Sequence, residues 1–326
     1  MAIPIGSPAT VLLPPSIYRG RLTGMLFDTD KCFLLPSALP GIKDLKRLYD
    51  DHPGAQVMVS GHADRAGPAD YNLALSIERA ESVSAFVQDQ VDIWMPWYGA
   101  SKPAPRRWGI REDQHMLSAL GFYAGPIHGR NDAPTRAAAQ SFRADSGLGD
   151  GGIDETMRRK LVEKYMQTDE TTLPAGTVIE HHGCGEYHPE VDTADGVSEP
   201  ENRRVEVFFF DGAIDPPAPA RCPPGGCTQY PEWRRGTIET IDINVRPELT
   251  FTLIDELGLP LKNARVKITY PTGRTRETTT DGSGTFVARV KPEESLVLEI
   301  DDAHEAAPGD GTTTSSGTHF HTGGVP

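Results

Sequence analysis

The hydrophobic pattern of the chain changes several times along its 326 residues and predicts both strands and helices. Residues 24–28 have the pattern of a short strand, and residues 35–49 that of a helix. Residues 55–61, AQVMVSG, alternate as a strand does. In residues 70–87 apolar positions recur at steps of three and four, which predicts an amphipathic helix. The buried face of that helix consists of Leu73, Ile77, Ala80, Val83 and Val87.

The second half of the first 211 residues is organised differently. Residues 88–107 are rich in Pro and Trp and lack a clear period, so we expect a connection between folded units. Residues 108–166 contain three helix-like segments separated by Gly-rich turns. Strand patterns return in residues 177–183 and 203–210.

The last third of the chain alternates between linkers and short strands. Residues 212–247 contain DPPAPARCPPGG, whose prolines cannot continue a helix or a central strand, and predict a linker. Residues 248–300 show short alternating runs between turns and predict a small all-β sandwich. The tail, residues 301–326, is rich in Gly, Thr, Ser and Pro, which predicts disorder.

Charge and hydropathy exclude two classes of partner. The chain has 32 Lys and Arg against 46 Asp and Glu, a net charge of -14, which argues against nucleic-acid binding. No apolar run approaches the roughly 20 residues of a membrane-spanning helix, so we predict no membrane span. Residues 1–20 lack a basic start and a sustained apolar core, so we predict no secretory signal peptide.

The four cysteines are too few for a disulfide framework in a chain of this length. Cys222 and Cys227 are close enough in sequence to pair, and whether that bridge forms is left open. Cys32 and Cys184 are expected to be core or edge residues.

A cluster of histidines raises a catalytic function as an alternative. His181, His182, Glu186 and His188 lie within eight residues, and HFH occurs in the tail, so a zinc peptidase is an alternative. The motif HExxH is absent, and so is the nucleophile motif GxSxG. The sequence therefore predicts a protein that is not an enzyme, with no metal and no cofactor.

The most informative stretch is residues 61–80, GHADRAGPADYNLALSIERA. Asp64 follows a strand in a short loop, and the long side chain of Arg79 leans towards the N-terminus of its helix. A carboxylate and a guanidinium held across a cleft can bind the ammonium and the carboxylate of a zwitterion. Two structural alternatives remain open: the two side chains pair with each other, or Asp64 only fixes its own turn.

These residues resemble a known family. FDTDKC through SVSAFV, together with HGCGEYHP and ENRRVEVFFF, is similar to the OmpA-like peptidoglycan-binding domain, over about residues 24–88 and 177–211. In that family the Asp of the GHxD turn and the Arg of the LSxxRA helix hold the diaminopimelate side group of the stem peptide. The resemblance assigns these roles to Asp64 and Arg79.

Three further positions match ligand-contacting residues of the family: Asn72, Arg203 and, at the mouth of the site, Asp28. One position departs from it. Ala63 stands where the family usually has Thr, so one hydroxyl hydrogen bond is missing.

Two more resemblances concern the remaining segments. Residues 120–154 are similar to a three-helix peptidoglycan-binding module, from which they depart at His128, Ala133 and Arg143; the alternative is a spacer or docking surface. The C-terminal strands resemble a carboxypeptidase regulatory-like or Cna-B-like sandwich, which implies a rigid spacer or a surface for a protein partner.

The predicted fold class is α+β and multidomain, a βαβα-type sheet-and-helix domain interrupted by a small three-helix domain and followed by a small all-β sandwich. The predicted boundaries are an extension at 1–23, the discontinuous domain at 24–88 and 177–211, the insert at 108–166, a linker at 212–247, the sandwich at 248–300 and the tail at 301–326.

The predicted function is non-catalytic binding of peptidoglycan, which anchors the protein or a partner to the cell wall. The alternative is a cell-wall-targeted effector or hydrolase-associated component, delivered by a contractile or type VI-like apparatus. The predicted location is the cell envelope, facing the periplasm, or outside the cell by a non-classical route.

Overall fold

The computed structural model describes residues 16–24, 26–168, 170–211, 222–245, 248–255, 258–269, 275–289, 295–301 and 317–321. The chain divides into two compact units, residues 1–244 and residues 245–326. Residues 1–15 of the predicted extension, residues 212–221 of the predicted linker, and residues 302–316 and 322–326 of the predicted tail lie outside the described residues.

The first unit contains both strands and helices. Its strands are β1 (Ser16–Gly24), β2 (Gln56–His62), β3 (Ile179–Gly185), β4 (Val205–Asp211) and β5 (Thr237–Val245). Its helices are α1 (Leu39–Asp51), α2 (Ala69–Phe86), α3 (Val91–Trp94), α4 (Ile110–Ala119), α5 (Ala133–Asp145), α6 (Glu155–Met166) and α7 (Gln229–Gly236).

The five strands form one sheet in the order β3-β2-β4-β1-β5. Strand β2 is parallel to β3 and antiparallel to β4, and β1 is antiparallel to β4. Because β3 and β4 follow α3 to α6 in sequence, the chain on both sides of those helices builds the same sheet. The helices between α2 and β3, residues 91–166, are called the helical segment below.

The strand predicted at residues 24–28 is wrong, because the first strand is β1. Its register runs from Ser16 opposite Asp211 to Leu22 opposite Val205, so part of the predicted N-terminal extension belongs to the sheet. Gly24 ends the strand with φ of 97°, a left-handed conformation that glycine adopts without strain.

Side chains alternate between the two faces of the sheet along each strand, and both faces are covered by helices. On one face Val57, Val59 and Phe209 pack with Leu45 of α1 and Val83 of α2. On the other face, Met58, Phe208 and Phe210 form a buried cluster with Tyr230 and Trp233 of α7.

The prediction of a linker over residues 212–247 is therefore wrong for its described part. Helix α7 and strand β5 both lie in that range. The prolines and glycines ahead of them hid the amphipathic pattern of QYPEWRRG, in which Tyr230 and Trp233 bury against the second face of the sheet.

The connection predicted at residues 88–107 is also wrong, since this stretch packs as a core. Trp94, Trp97 and Trp108 are almost fully buried, and Trp94 lies 5.6 Å from Phe33, centroid to centroid. The hydroxyl of Tyr165 in α6 donates to the carbonyl oxygen of Leu34 at 2.9 Å. These contacts hold the helical segment against the loop that follows β1.

The second unit consists of short strands. They are β6 (Glu248–Thr252), β7 (Arg265–Thr269), β8 (Thr275–Thr279), β9 (Thr285–Arg289), β10 (Ser295–Asp301) and β11 (Gly317–His321). Strands β6 and β9 pair with each other, and the other four form a sheet in the order β11-β10-β7-β8. One apolar cluster contains side chains from both sheets. Because β11 pairs with β10, the prediction of disorder is wrong for residues 317–321.

Among the described residues, we find no helix with the length and apolar character that crossing a membrane requires.

The position of α2 depends on two glycines in neighbouring strands. A Cβ atom on Gly61 of β2 would lie 2.1 Å from the carbonyl oxygen of Ser76, and one on Gly183 of β3 would lie 2.2 Å from Cγ1 of Ile77. Helix α2, which carries Ser76 and Ile77, therefore lies on the sheet more closely than side chains would permit.

We expect Gly61→Ala to destabilise the protein by about 1 to 3 kcal/mol, because the added methyl group meets backbone rather than a flexible side chain. Urea denaturation measures the change. Gly152→Ala is the matched control, since a Cβ there would meet no atom within 4 Å. Equal stability of Gly61→Ala and the wild type would contradict the close packing of α2.

Candidate functional site

The candidate site lies where β2 ends and α2 begins its return across the sheet. Asp64 follows the last residue of β2 by two positions, and Arg79 lies in the middle of α2. Both charged side chains are largely buried, with Asp64 7% exposed and Arg79 6% exposed. Burial of charge without compensation is costly, so the partners of each group decide what the site can bind.

Asp64 is held by a loop that precedes β4. Its Oδ2 accepts hydrogen bonds from Nη1 of Arg203 at 2.6 Å, from the amide of Glu199 at 3.1 Å and from the hydroxyl of Ser198 at 3.2 Å. Its Oδ1 accepts one from the amide of Ala66 at 3.3 Å. Burial acts to raise the pKa of Asp64, but the hydrogen bond and charge of Arg203, with the two amides, outweigh it and lower the pKa.

Arg79 has a different set of partners, all without charge. Its Nε donates to the carbonyl oxygen of Lys31 at 3.0 Å, its Nη2 reaches that of Asp28 at 3.5 Å, and its guanidinium lies 5.0 Å from the ring centroid of Phe27. Burial lowers the pKa of Arg79 to about 10, so the group stays a cation at neutral pH. Within the described part of the chain, Arg79 forms no ion pair with Asp64 or with another carboxylate.

Asp64 and Arg79 therefore do not pair directly, so the first structural alternative is wrong. The other alternative, that Asp64 fixes its own turn, is present in the bond from Ala66. The same carboxylate also binds the loop that contains Ser198 and Arg203.

Asn72 ties the turn together from the first part of α2. Its Nδ2 lies 2.9 Å from the carbonyl oxygen of Asp64, 2.8 Å from that of Gly67 and 2.6 Å from Oε2 of Glu186. Asn72 is buried and links the turn after β2 to the turn after β3. Ala63, where a hydroxyl was expected from the resemblance, is buried and donates its amide to the carbonyl oxygen of Gly185 at 2.9 Å.

Asp28, the residue expected at the mouth of the site, is in contact with the helical segment. Its Oδ2 accepts from Nε of Arg111 at 2.8 Å, and Nε2 of His115 lies 3.9 Å away. Nearby, Lys31 donates to the carbonyl oxygen of Arg107 and forms an ion pair with Glu112 at 3.2 Å. Helix α4 thus contacts both Asp28 and Lys31.

The sequence predicts five site residues, but it does not predict several of the groups that bind Asp64 and Asp28. Ser198 and Glu199 are separated from Asp64 by more than 130 positions, and Arg111 lies in a segment that looked like an independent module. Ser198 and Glu199 lie inside the second piece of the resemblance, whereas Arg111 lies outside both pieces.

The four residues considered for a zinc peptidase do not all meet at one point, although His182 and His188 both contact neighbouring thiols. Glu186 binds Asn72, whereas His182 contacts Cys222 and His188 contacts Cys227. Strand β3 also places His181 and His182 on opposite sides of the sheet, because neighbours along a strand alternate.

A family model and known proteins match parts of this chain. The OmpA family matches residues 26–103. A peptidoglycan-associated lipoprotein of Legionella pneumophila is 33% identical over 94 residues, 28% of this chain and 52% of that protein. An outer membrane porin F of Pseudomonas fluorescens is 37% identical over 81 residues, 24% of this chain and 25% of that protein. The chain thus spans about half of the lipoprotein and a quarter of the porin.

Two solved structures are similar to this chain only at low TM-score and low identity. The peptidoglycan-associated lipoprotein from Burkholderia pseudomallei has a TM-score of 0.25 and 13% identity, covering 57% of this chain and 89% of that one. The OmpA-like domain of FopA1 from Francisella tularensis has a TM-score of 0.23 and 14% identity, covering 59% and 73%. The family match and the sequence relatives show that residues 26–103 contain an OmpA-like domain.

The lowered pKa of Asp64 predicts how the protein responds to acid. A carboxyl group whose pKa is lower in the folded than in the unfolded chain stabilises the fold above its unfolded pKa, and this contribution is lost as the pH falls through the folded value. We therefore expect the wild type to lose more stability than Asp64→Asn as the pH falls below about 4. Denaturant titrations at a series of acidic pH values measure the difference.

The control is Asp145→Asn, which removes an exposed carboxylate on α5 and should follow the wild-type curve. Parallel curves for the wild type and Asp64→Asn would show that the bonds to Arg203 and the two amides do not stabilise the fold.

Proposed function

Because residues 26–103 contain an OmpA-like domain, we propose that the protein binds peptidoglycan without catalysis. In this proposal Asp64 and Arg79 hold the zwitterionic end of the diaminopimelate side group, supported by Asn72, Arg203 and Asp28. Binding would anchor this chain, or a partner attached to it, to the cell wall in the bacterial envelope.

The observation that carries the proposal is the state of Arg79. Its guanidinium is buried and remains charged at neutral pH, yet its described hydrogen bonds go only to backbone carbonyl oxygens. A ligand carboxylate would supply the missing negative charge, and Arg binds a carboxylate through two parallel hydrogen bonds.

Asp64 supports the opposite end of the same ligand. Within the described ranges its Oδ1 accepts one bond, from the amide of Ala66, and an ionised carboxylate oxygen can accept a second. A ligand ammonium could donate to Oδ1 while Arg203 keeps its bond to Oδ2. Arg203 is 37% exposed, so its guanidinium can also meet other ligand carboxylates near the surface.

The helical segment and the second unit have supporting roles in this proposal. The helical segment reaches Asp28 through Arg111, so it lies beside the proposed position of the ligand. In the second unit, the strands offer a surface for a protein partner that would be brought to the cell wall.

Removing either charged anchor should weaken binding to peptidoglycan. We expect Asp64→Ala and Arg79→Ala each to cost about 2 to 5 kcal/mol, since truncating one partner of a desolvated charge contact leaves the other uncompensated. A loss of 2 kcal/mol is roughly a 30-fold weaker affinity. Co-sedimentation with purified sacculi of the diaminopimelate type, with bound protein measured against concentration, gives the change.

Three controls separate binding from folding and from non-specific adhesion. Melting curves of each variant report its stability. Sacculi of the lysine type serve as the second control, because their stem peptides lack the zwitterionic end of diaminopimelate. Lys267→Ala removes a cation from an exposed pair in the second unit and should bind as the wild type does. Equal binding by wild type, Asp64→Ala and Arg79→Ala would remove this site from the function.

Arg111 should weaken ligand binding slightly, because it forms an ion pair with the carboxylate of Asp28. In Arg111→Ala that carboxylate is released for the ligand ammonium, and we expect affinity for diaminopimelate-type sacculi to rise by up to about fivefold, the range of an exposed ion pair. The same assay measures it, with Arg159→Ala, another exposed cation of the helical segment, as the control. Weaker binding by Arg111→Ala would show that Arg111 itself contacts the ligand.

A further inference from the structure

Four side chains that can bind metal meet on the sheet face that α7 covers, away from Asp64 and Arg79. They are His182, Cys184, Cys222 and Cys227, and we call them the Cys3His cluster. Their ligand atoms all lie within 4.8 Å of one another, and all four residues are buried. The three thiols are free, with no disulfide between them.

The backbone brings the Cys3His cluster together from two distant stretches. His182 and Cys184 are two positions apart in β3, so their side chains leave the same face of the strand. The amide of Cys222 donates to the carbonyl oxygen of Gly183 at 2.9 Å, which fixes the second stretch beside the first. Between Cys222 and Cys227, Gly225 and Gly226 have φ of 89° and 94°, so the chain turns sharply where only glycine is unstrained.

The geometry points to a structural zinc site, and we propose that the Cys3His cluster binds one Zn²⁺. Three thiolates and one imidazole are a donor set that zinc takes in closed, tetrahedral sites. Zn–S bonds of about 2.3 Å place the ligand atoms of such a site roughly 3.5 to 3.8 Å apart. Here Nε2 of His182 lies 3.1 Å from Sγ of Cys222, and a contraction of less than about 1.5 Å closes the widest spacing.

The spacing of the ligands fits the same interpretation. Cys222 and Cys227 have four residues between them, within the two to four typical of a zinc-binding turn. The residues around that turn are suited to orient the thiolates, since Nε2 of His188 accepts the amide of Cys227 at 3.2 Å and lies 3.6 Å from its Sγ. An alanine at Gly226 would place its Cβ 3.0 Å from that imidazole.

The surroundings favour a structural rather than a catalytic metal. The Cys3His cluster packs within the apolar group that contains Phe208, Tyr230 and Trp233, and the ring of His182 lies 6.2 Å from that of Trp233. Four protein ligands complete a tetrahedron, and a catalytic zinc keeps one position open to water. The metal would instead fix the CPPGGC turn to β3 and so hold α7 on the second face of the sheet.

The first test is metal content. Full-length protein without a polyhistidine tag, purified under reducing conditions, should contain about one zinc per chain by elemental analysis, released when the thiols are modified with a mercurial reagent. Replacement by Co²⁺ should give thiolate-to-metal charge-transfer absorption and tetrahedral visible bands. Absence of zinc after dialysis of the reduced protein against Zn²⁺, or a disulfide between Cys222 and Cys227 in the native protein by mass spectrometry, would overturn the proposal.

The second test uses variants with a matched control. Cys222→Ser and Cys227→Ser should each lose most of the bound zinc, and chelation should lower the melting temperature of the wild type but not of these variants. Cys32→Ser removes a buried thiol outside the cluster and should keep its zinc. Retention of zinc by Cys222→Ser and Cys227→Ser would overturn the site even if both fold normally, and the cobalt spectrum of the wild type decides the matter if neither folds.

Discussion

The position of β2 between β3 and β4 constrains the whole first unit. Strand β2 cannot complete its hydrogen bonds until the chain has passed through the helical segment and returned more than 100 residues later. Such pairing requires the closure of a long loop, so the helical segment has to fold compactly between the two halves of the sheet. The buried tryptophans and the hydrogen bond from Tyr165 to Leu34 keep the two ends of the helical segment close together.

The candidate site is a direct product of the same topology. Asp64 leaves the end of β2, and the loop that holds its carboxylate precedes β4, its neighbour in the sheet. Asn72 in α2 joins that turn to Glu186 after β3. Two stretches of the chain more than 100 positions apart, residues 64–72 and residues 186–203, therefore share one small volume. Among the residues that the structure describes, Arg79 forms no ion pair with a carboxylate, and with a pKa of about 10 it keeps its charge at neutral pH.

The second face of the sheet is covered by the short helix α7. A sheet with Met58, Phe208 and Phe210 on one face cannot leave that face in water, and α7 covers it with only two large side chains. A helix of eight residues is too short to be stable alone. Its attachment depends on Tyr230, on Trp233 and on the turn that begins at Cys222, whose amide is bound to β3. The Cys3His cluster lies at that attachment.

The sequence by itself determined the elements with a strong period, and it singled out Asp64 and Arg79 as candidate site residues. Strand β2, helix α2 and helices α4, α5 and α6 follow from local spacing, and Asp64 and Arg79 stand in a motif that a single stretch contains. Tertiary structure decided the rest, because the remaining contacts join distant segments. The prolines before α7 concealed an element that burial stabilises, and the tryptophans after α2 lacked a period because they pack on one another. Arg203 rather than Arg79 pairs with Asp64, and three cysteines meet one histidine, because sheet pairing, not spacing along the chain, sets which side chains are neighbours.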